Sequence, residues 1–266
     1  MCRMLGYVSS MPQTFQEVMG DEWETFVSLS QQHADGWGIA WLDAETEMIR
    51  LTKAPHAAFR SADFRIATES IRTRMAALHF RWASPGLGIS YANTHPFWSP
   101  DHTAAFMHNG AVEPVDRVWA AVSSVSAQPD LGHGVTDSEA YWRLWESHVA
   151  RGHSFSQGFE EVMQILRSWS LTYTGLNAMI VTPQQMYVVS EYDVDAVLAQ
   201  NDPEYYTLYE RQLSGATVIA SSGWTMKNVW LRVPHHTLTA IACSCSVRID
   251  RVQLFGSSTT SRSKRH

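Results

Sequence analysis

Three cysteines in 266 residues are too few, and odd in number, for a disulfide framework; they point to a reducing, cytoplasmic setting. Charge is also scarce. Only 17% of the chain is charged and the formal net charge is −6, so there is no overall basic field for nucleic acid or an anionic membrane surface. The basic group Arg262, Lys264 and Arg265 is too short to alter that. No apolar run approaches the ~20 residues of a membrane span, and polar residues from Ser9 onward interrupt any signal-peptide core. No long-period internal repeat is present. None of the twelve histidines falls into H-E-x-x-H or another ligand spacing. His235 and His236 are adjacent and, if extended, point to opposite faces. Cys243 and Cys245 share a strand face, but no second Cys/His pair lies at zinc spacing. No metal, cofactor, nucleic-acid partner or membrane partner is therefore expected.

What is present is apolar material, 45% of the residues, enough for a substantial core. Without a convincing linker, the chain reads as one α/β domain over residues 1–255, its strands and helices arranged in blocks rather than in strict βαβ alternation. The Ser/Thr-rich, basic tail 256–266 is expected to be disordered. Residues 3–9 read as a first strand. Thr14 and Glu17 then make a T-x-x-E capping box, and Phe15, Val18, Met19, Trp23, Phe26 and Val27 recur at helical spacing, with Gly20 as the weak point. The run from Met75 to Trp82 reads as a strand with Met75, Ala77, His79 and Arg81 on one face. Thr103 to His108 is another, closed by the turn pair Asn109-Gly110. Thr136 with Glu139, and Ser154 with Gln157, open two further helices. Residues 61–72 form a short helix, and strands follow at 176–181, 186–192, 216–221, 237–243 and 247–254. The glycines bracketing Trp37 mark backbone that turns tightly or lets another segment approach.

Chemistry is suggested first by Cys2. An initiator methionine followed by a small side chain is generally removed, leaving a residue with both a thiol and a free α-amine. With pKa values of about 8.5 and about 7.7–8.0, the amine is able to take the thiol proton, so one residue supplies nucleophile and base. Asn109 and Gly110 offer a side-chain amide and a backbone N–H together, a possible oxyanion hole and equally an ordinary turn. Arg81, in an apolar strand, suits a planar carboxylate or a structural ion pair. Asp137 lies in the first turn of a capped helix, where the macrodipole favours a carboxylate in any case. A papain-like pairing of Cys2 with His79 or His108 lacks the expected sequence around the cysteine.

In order, the chain carries Cys2, Asp35-Gly36-Trp37-Gly38, Arg81-Trp82-Ala83-Ser84-Pro85-Gly86, Asn93-Thr94-His95-Pro96-Phe97, His108-Asn109-Gly110 and Thr136-Asp137-Ser138-Glu139. This set resembles the class II glutamine amidotransferase domain, an N-terminal-nucleophile (Ntn) hydrolase. It is most similar to the small stand-alone members, the YafJ-like proteins and the γ-glutamyl hydrolases. The resemblance implies an α+β fold, a four-layer αββα sandwich of two antiparallel sheets with helices on both outer faces. It also implies roles: Cys2 as nucleophile; Asn109 and Gly110 as oxyanion donors; Arg81, helped by Ser84, for the substrate α-carboxylate; Asp137 for the α-ammonium; Trp82 as a pocket wall; and Asp35 to Gly38 packed beneath the nucleophile. Pro85 departs from several members, which carry a polar residue there. The activity implied is hydrolysis of the γ-amide of glutamine through a γ-glutamyl thioester, with ammonia released or passed to a separate synthetase. The alternatives are hydrolysis of a γ-glutamyl conjugate without ammonia transfer, and a non-catalytic binding or regulatory protein retaining the fold.

Overall fold

The computed structural model describes residues 2–84, 86–125, 135–199, 202–243 and 246–254. Met1, Pro85, Cys245 and the tail 256–266, on which expectations fell, lie outside the described residues, as does the side chain of Cys243.

Two antiparallel sheets dominate. Across the first, the strands run Leu231–Arg232, Leu208–Leu213, Ala216–Ser221, Arg3–Gln13, Thr73–Phe80, Trp37–Leu42 and Ile49–Ala54. Across the second they run Val247–Gln253, Thr237–Cys243, Gln185–Ser190, Asn177–Val181, Ala105–Asn109 and Phe97–Trp98. Successive side chains of a strand face opposite ways, and the core follows that parity. Leu5, Tyr7, Ala76, Leu78 and Phe80 face outward, packing with Phe15, Trp23, Phe26 and Phe64 from the helices on that side. Met4, Val8, Met75 and Ala77 face inward and meet Met107, Met179, Met186 and Val188 of the second sheet. The far face of the second sheet, with Phe106, Ala178 and Ile180, is covered by helices Val115–Val125, Asp137–Val149 and Phe155–Ser168. The molecule is thus the expected four-layer αββα sandwich.

The inter-sheet layer is rich in methionine, whose flexible thioether fills irregular gaps; burying each such side chain contributes roughly 1.5–3 kcal/mol. Gly6 admits this packing, since a Cβ there would lie 2.8 Å from Met186 Sδ.

Several local expectations hold. Thr14 and Ser154 each close a reciprocal capping box, and Ser61 caps the helix Ala62–Ser70. Two differ. The expected first helix is broken into the α-helices Phe15–Met19 and Trp23–Val27, joined by the 3-10 turn Gly20–Glu22. Gly20 takes φ +61° and ψ −135°, a backbone conformation that glycine tolerates and a helix cannot contain. At Thr136 the side chain accepts from the Glu139 N–H, while the Glu139 carboxylate reaches Arg143 at 3.5 Å. Among the described residues no helix is long and apolar enough to cross a membrane.

Candidate active site

The inward parity of three strand segments continues to one place. Cys2 stands one residue before the strand Arg3–Gln13, in phase with Met4 and Val8. Arg81 stands one residue beyond Thr73–Phe80, in phase with Met75 and Ala77. Asn109 ends Ala105–Asn109, in phase with Ala105 and Met107. Arg3 pairs with Phe80 across the ladder, so the chain segments carrying Cys2 and Arg81 are neighbours in the first sheet, and the second sheet brings Asn109 to them.

The Cys2 backbone nitrogen donates to Asn109 Oδ1 at 3.0 Å. This bond fixes the amide orientation, leaving Nδ2 as its outward donor. Asn109 is fully buried, and Nδ2 has no hydrogen-bond partner among the described residues. Arg81 presents a similar picture: Nη2 donates to the Gly88 carbonyl at 3.3 Å, and buried Nη1 has no partner among the described residues. An unsatisfied buried donor costs about 1–3 kcal/mol, so two of them on segments adjoining Cys2 are what a site for an acceptor-rich ligand would leave open.

The thiol is electrostatically tied to the same group. Burial pushes the Cys2 thiol up and Asp137 adds to it, while a contact to the Trp82 backbone and the Arg81 guanidinium oppose this. Sγ lies 3.8 Å from the Trp82 carbonyl oxygen. A buried, protonated thiol needs a base before it can attack.

Asp137 begins the helix Asp137–Val149 and its Oδ2 accepts from the Val112 N–H at 2.9 Å. Burial raises its carboxyl, against the pull of His108 and of backbone N–H donors. Gly110 follows Asn109 where no other residue fits: a Cβ there would stand 1.8 Å from the Gly175 carbonyl oxygen. The Asp35 loop braces the Arg81 segment. Asp35 N–H donates to the Arg81 carbonyl at 3.0 Å, Arg81 N–H to the Gly36 carbonyl at 2.8 Å, and Ala83 N–H to Asp35 Oδ2 at 2.8 Å. Gly38 admits the His95 segment, whose carbonyl a Cβ would meet at 2.1 Å. Trp82, 39% exposed, meets His33 edge-on at 5.5 Å, and Ser84 is half-buried two residues further on.

Among the described residues, neither His79 nor His108 hydrogen-bonds to the thiol. His108 engages Ser138 through Nδ1 and the Gly175 carbonyl through Nε2, each at 2.9 Å. His79 donates through Nε2 to the His108 carbonyl, and burial drives its pKa down to about 3, too low for a base at neutral pH.

Two supporting residues escaped the sequence reading. Arg3 stacks its guanidinium 3.9 Å over the Tyr205 ring and donates to the carbonyls of Tyr205 and Cys2, anchoring the chain beside the thiol. Its signal was a charge opening an apolar strand. Asn177 pairs with Asn109 in the ladder and ties Glu191 N–H and the Tyr206 carbonyl; its signal was an amide inside the apolar run 176–181.

The model for class-II glutamine amidotransferases matches residues 1–205. Among solved structures, a glutamine aminotransferase class-II domain protein from Silicibacter pomeroyi is 17% identical with a TM-score of 0.63, covering 94% of this chain and 98% of that one. A predicted glutamine amidotransferase from Pseudomonas aeruginosa is 17% identical with a TM-score of 0.52, covering 92% and 99%. Glutamine phosphoribosylpyrophosphate amidotransferase from B. subtilis is 18% identical with a TM-score of 0.64; the match covers 94% of this chain but 49% of that longer one. At these identities the likeness is one of fold. No curated protein matches the chain in sequence.

Proposed function

Because the chain belongs to the class-II glutamine amidotransferase family, we propose that it hydrolyses the γ-amide of glutamine, with Cys2, freed of Met1, as the nucleophile. The observation that carries this reading is the 3.0 Å bond from the Cys2 nitrogen to Asn109 Oδ1. It puts the atom that becomes the α-amine, the thiol and a free amide donor in one small space.

The chemistry then follows from these residues. The α-amine takes the thiol proton as Sγ attacks the carboxamide carbon, and the C=O electron pair moves to oxygen. Asn109 Nδ2 and the Gly110 N–H receive that oxyanion; such donors act on the transition state more than on the ground state. The tetrahedral intermediate collapses, the C–N bond breaks, and the amine returns its proton to the departing ammonia. Water then attacks the γ-glutamyl thioester with the amine again as base, releasing glutamate and restoring the thiol. Arg81 holds the α-carboxylate, with Ser84 beside it, and Asp137 holds the α-ammonium. A zwitterionic head needs one cation and one anion held apart, and both charges already act on the thiol. Trp82 walls the entrance.

Ammonia release from glutamine, and amine release from a panel of γ-glutamyl amides, measured on processed protein and on Cys2→Ala, tests the reading. Turnover by the parent and none by Cys2→Ala supports it. Preference within the panel for a substituted amide over glutamine would move the assignment to a γ-glutamyl conjugate hydrolase. Equal activity in both proteins rejects the nucleophile.

A further inference from the structure

Strand Gln185–Ser190 pairs with Thr237–Cys243, Ser190 lying opposite Thr237. Just past that end, three potential ligand side chains meet. His235 and His236 would face opposite ways only in extended backbone, which His236 does not adopt. His236 takes φ +58°, a left-handed conformation in which histidine is among the enriched residues. The turn brings its ring onto that of His235, with centroids 3.7 Å apart and an interplanar angle of 23°. Glu191 lies against the pair: one ligand atom from each of Glu191, His235 and His236 falls within 4.8 Å of the other two.

We infer that Glu191, His235 and His236 form a site for one divalent first-row transition-metal ion of the Zn2+ type. Two imidazoles with one carboxylate suit such ions, whereas Ca2+ and Mg2+ take all-oxygen sets. Around a tetrahedral zinc with bonds of about 2.0–2.2 Å, ligand atoms stand about 3.4 Å apart; the ligand atoms lie within 4.8 Å of one another before loading, and loading turns the two rings out of their stack so that their in-plane lone pairs converge on the ion. Glu191 is held for the task. It is 1% exposed, its Oε1 accepts from Tyr173 Oη at 2.8 Å, and its N–H donates to Asn177 Oδ1. Hydrogen bonds of this kind orient a ligating carboxylate. His236 Nδ1 now donates to Glu191 Oε2 at 2.6 Å. On loading, that proton moves to Nε2, a tautomer change that leaves the ring neutral, and the ion takes its place. An open cavity of about 450 Å³, lined also by Tyr192 and Asp193, gives access.

The ion would clamp a part of the fold that backs the active site. Tyr192, whose ring stacks on that of His235 at 4.1 Å, bridges to Gly175, and the Gly175 carbonyl is the group packed against Gly110.

The test uses the untagged full chain carrying Cys2→Ala, so that no N-terminal thiol competes for metal. Zn2+ is titrated by calorimetry and Co2+ by its visible absorption. One saturable equivalent and a rise in Tm of several degrees are expected. His236→Asn keeps a residue that tolerates left-handed backbone and should weaken Zn2+ binding at least 100-fold, with the metal-free Tm little changed. Glu191→Gln should do the same, and either variant carries the test if the other folds poorly. Parent-like affinity in the folded variant, or no saturable equivalent in the parent protein, overturns the site.

Discussion

Cys2 and Asn109, 107 positions apart in sequence, are joined by a single hydrogen bond from the Cys2 nitrogen to the Asn109 amide oxygen. The two large sheets meet at this bond. It also orients the Asn109 amide, so the position of the chain's second residue sets the direction of the proposed oxyanion donor.

Replacing Asn109 should therefore affect the transition state. Asn109→Ala removes the donor and should lower kcat for glutamine about 10²–10³-fold, the usual cost of one oxyanion donor, with KM little changed. Asn109→Asp keeps the acceptor toward the Cys2 nitrogen and puts an anion where a donor is needed, so it should lose at least as much. Steady-state kinetics on both variants checks this; a change confined to KM would remove Asn109 from the oxyanion role.

Arg81 and the substrate head group give a second expectation. Arg81→Lys retains the charge and loses the planar, two-pronged donor set. It should raise KM for glutamine about 10–100-fold, the loss of a charge-assisted hydrogen bond worth about 1.5–3 kcal/mol. Thermal stability should fall little, since the one side-chain hydrogen bond described for Arg81, Nη2 to the Gly88 carbonyl, is long at 3.3 Å.

Asp137 links function to stability, and the sign follows from its burial. Its carboxyl is raised in the folded protein, burial being the largest cause. A raised group favours the fold while protonated, below its unfolded pKa, and that contribution is lost as pH rises through the folded pKa. Wherever it is ionised in the fold, the side chain is thus a net cost. Asp137→Asn should raise Tm at pH 7 and shrink its gain toward pH 4, while KM for glutamine rises at least 10-fold. Melting curves at the two pH values, set beside the kinetics, check both halves.

Gly110 tests close packing. Any Cβ would strike the Gly175 carbonyl, so Gly110→Ala must displace backbone at the end of the strand Ala105–Asn109. Overpacking of this kind costs about 1–3 kcal/mol or more. A lower Tm with activity below 1% of the parent is expected; a parent-like Tm would show that the approach is not as tight as described.

The alternation of Met75, Ala77, His79 and Arg81 was readable because strand parity is set by the chain alone; that this shared face is the inward one came from the packing of the two sheets. The capping boxes at Thr14 and Ser154 were legible for the same reason, each being a contact between residues three apart. What was not legible depends on pairing at a distance. Nothing near Gly110 announces that Gly175 will press on it, and nothing near Asn109 says which way its amide will point. The short helix Val115–Val125 and the strands Ile49–Ala54 and Leu208–Leu213 also passed unnoticed. The two strands carry exposed or half-buried polar residues such as Arg50, Lys53 and Glu210, which blur the hydrophobic signal at sheet margins. The faces of His235-His236 were readable only under a condition, since adjacent residues face opposite ways only in extended backbone, and His236 is left-handed.

The central claim is that the amine of Cys2 serves its own sulfur as base, and the most direct measurement compares two proteins differing only there. One begins at Cys2, verified by intact mass; the other retains a single residue before it, so the thiol is present and the amine is tied up in a peptide bond. Ammonia release from glutamine should be lost by at least ~10²-fold in the second, the low end of a general base's contribution. Equal turnover by the two would contradict the account, and the proton would have to go elsewhere.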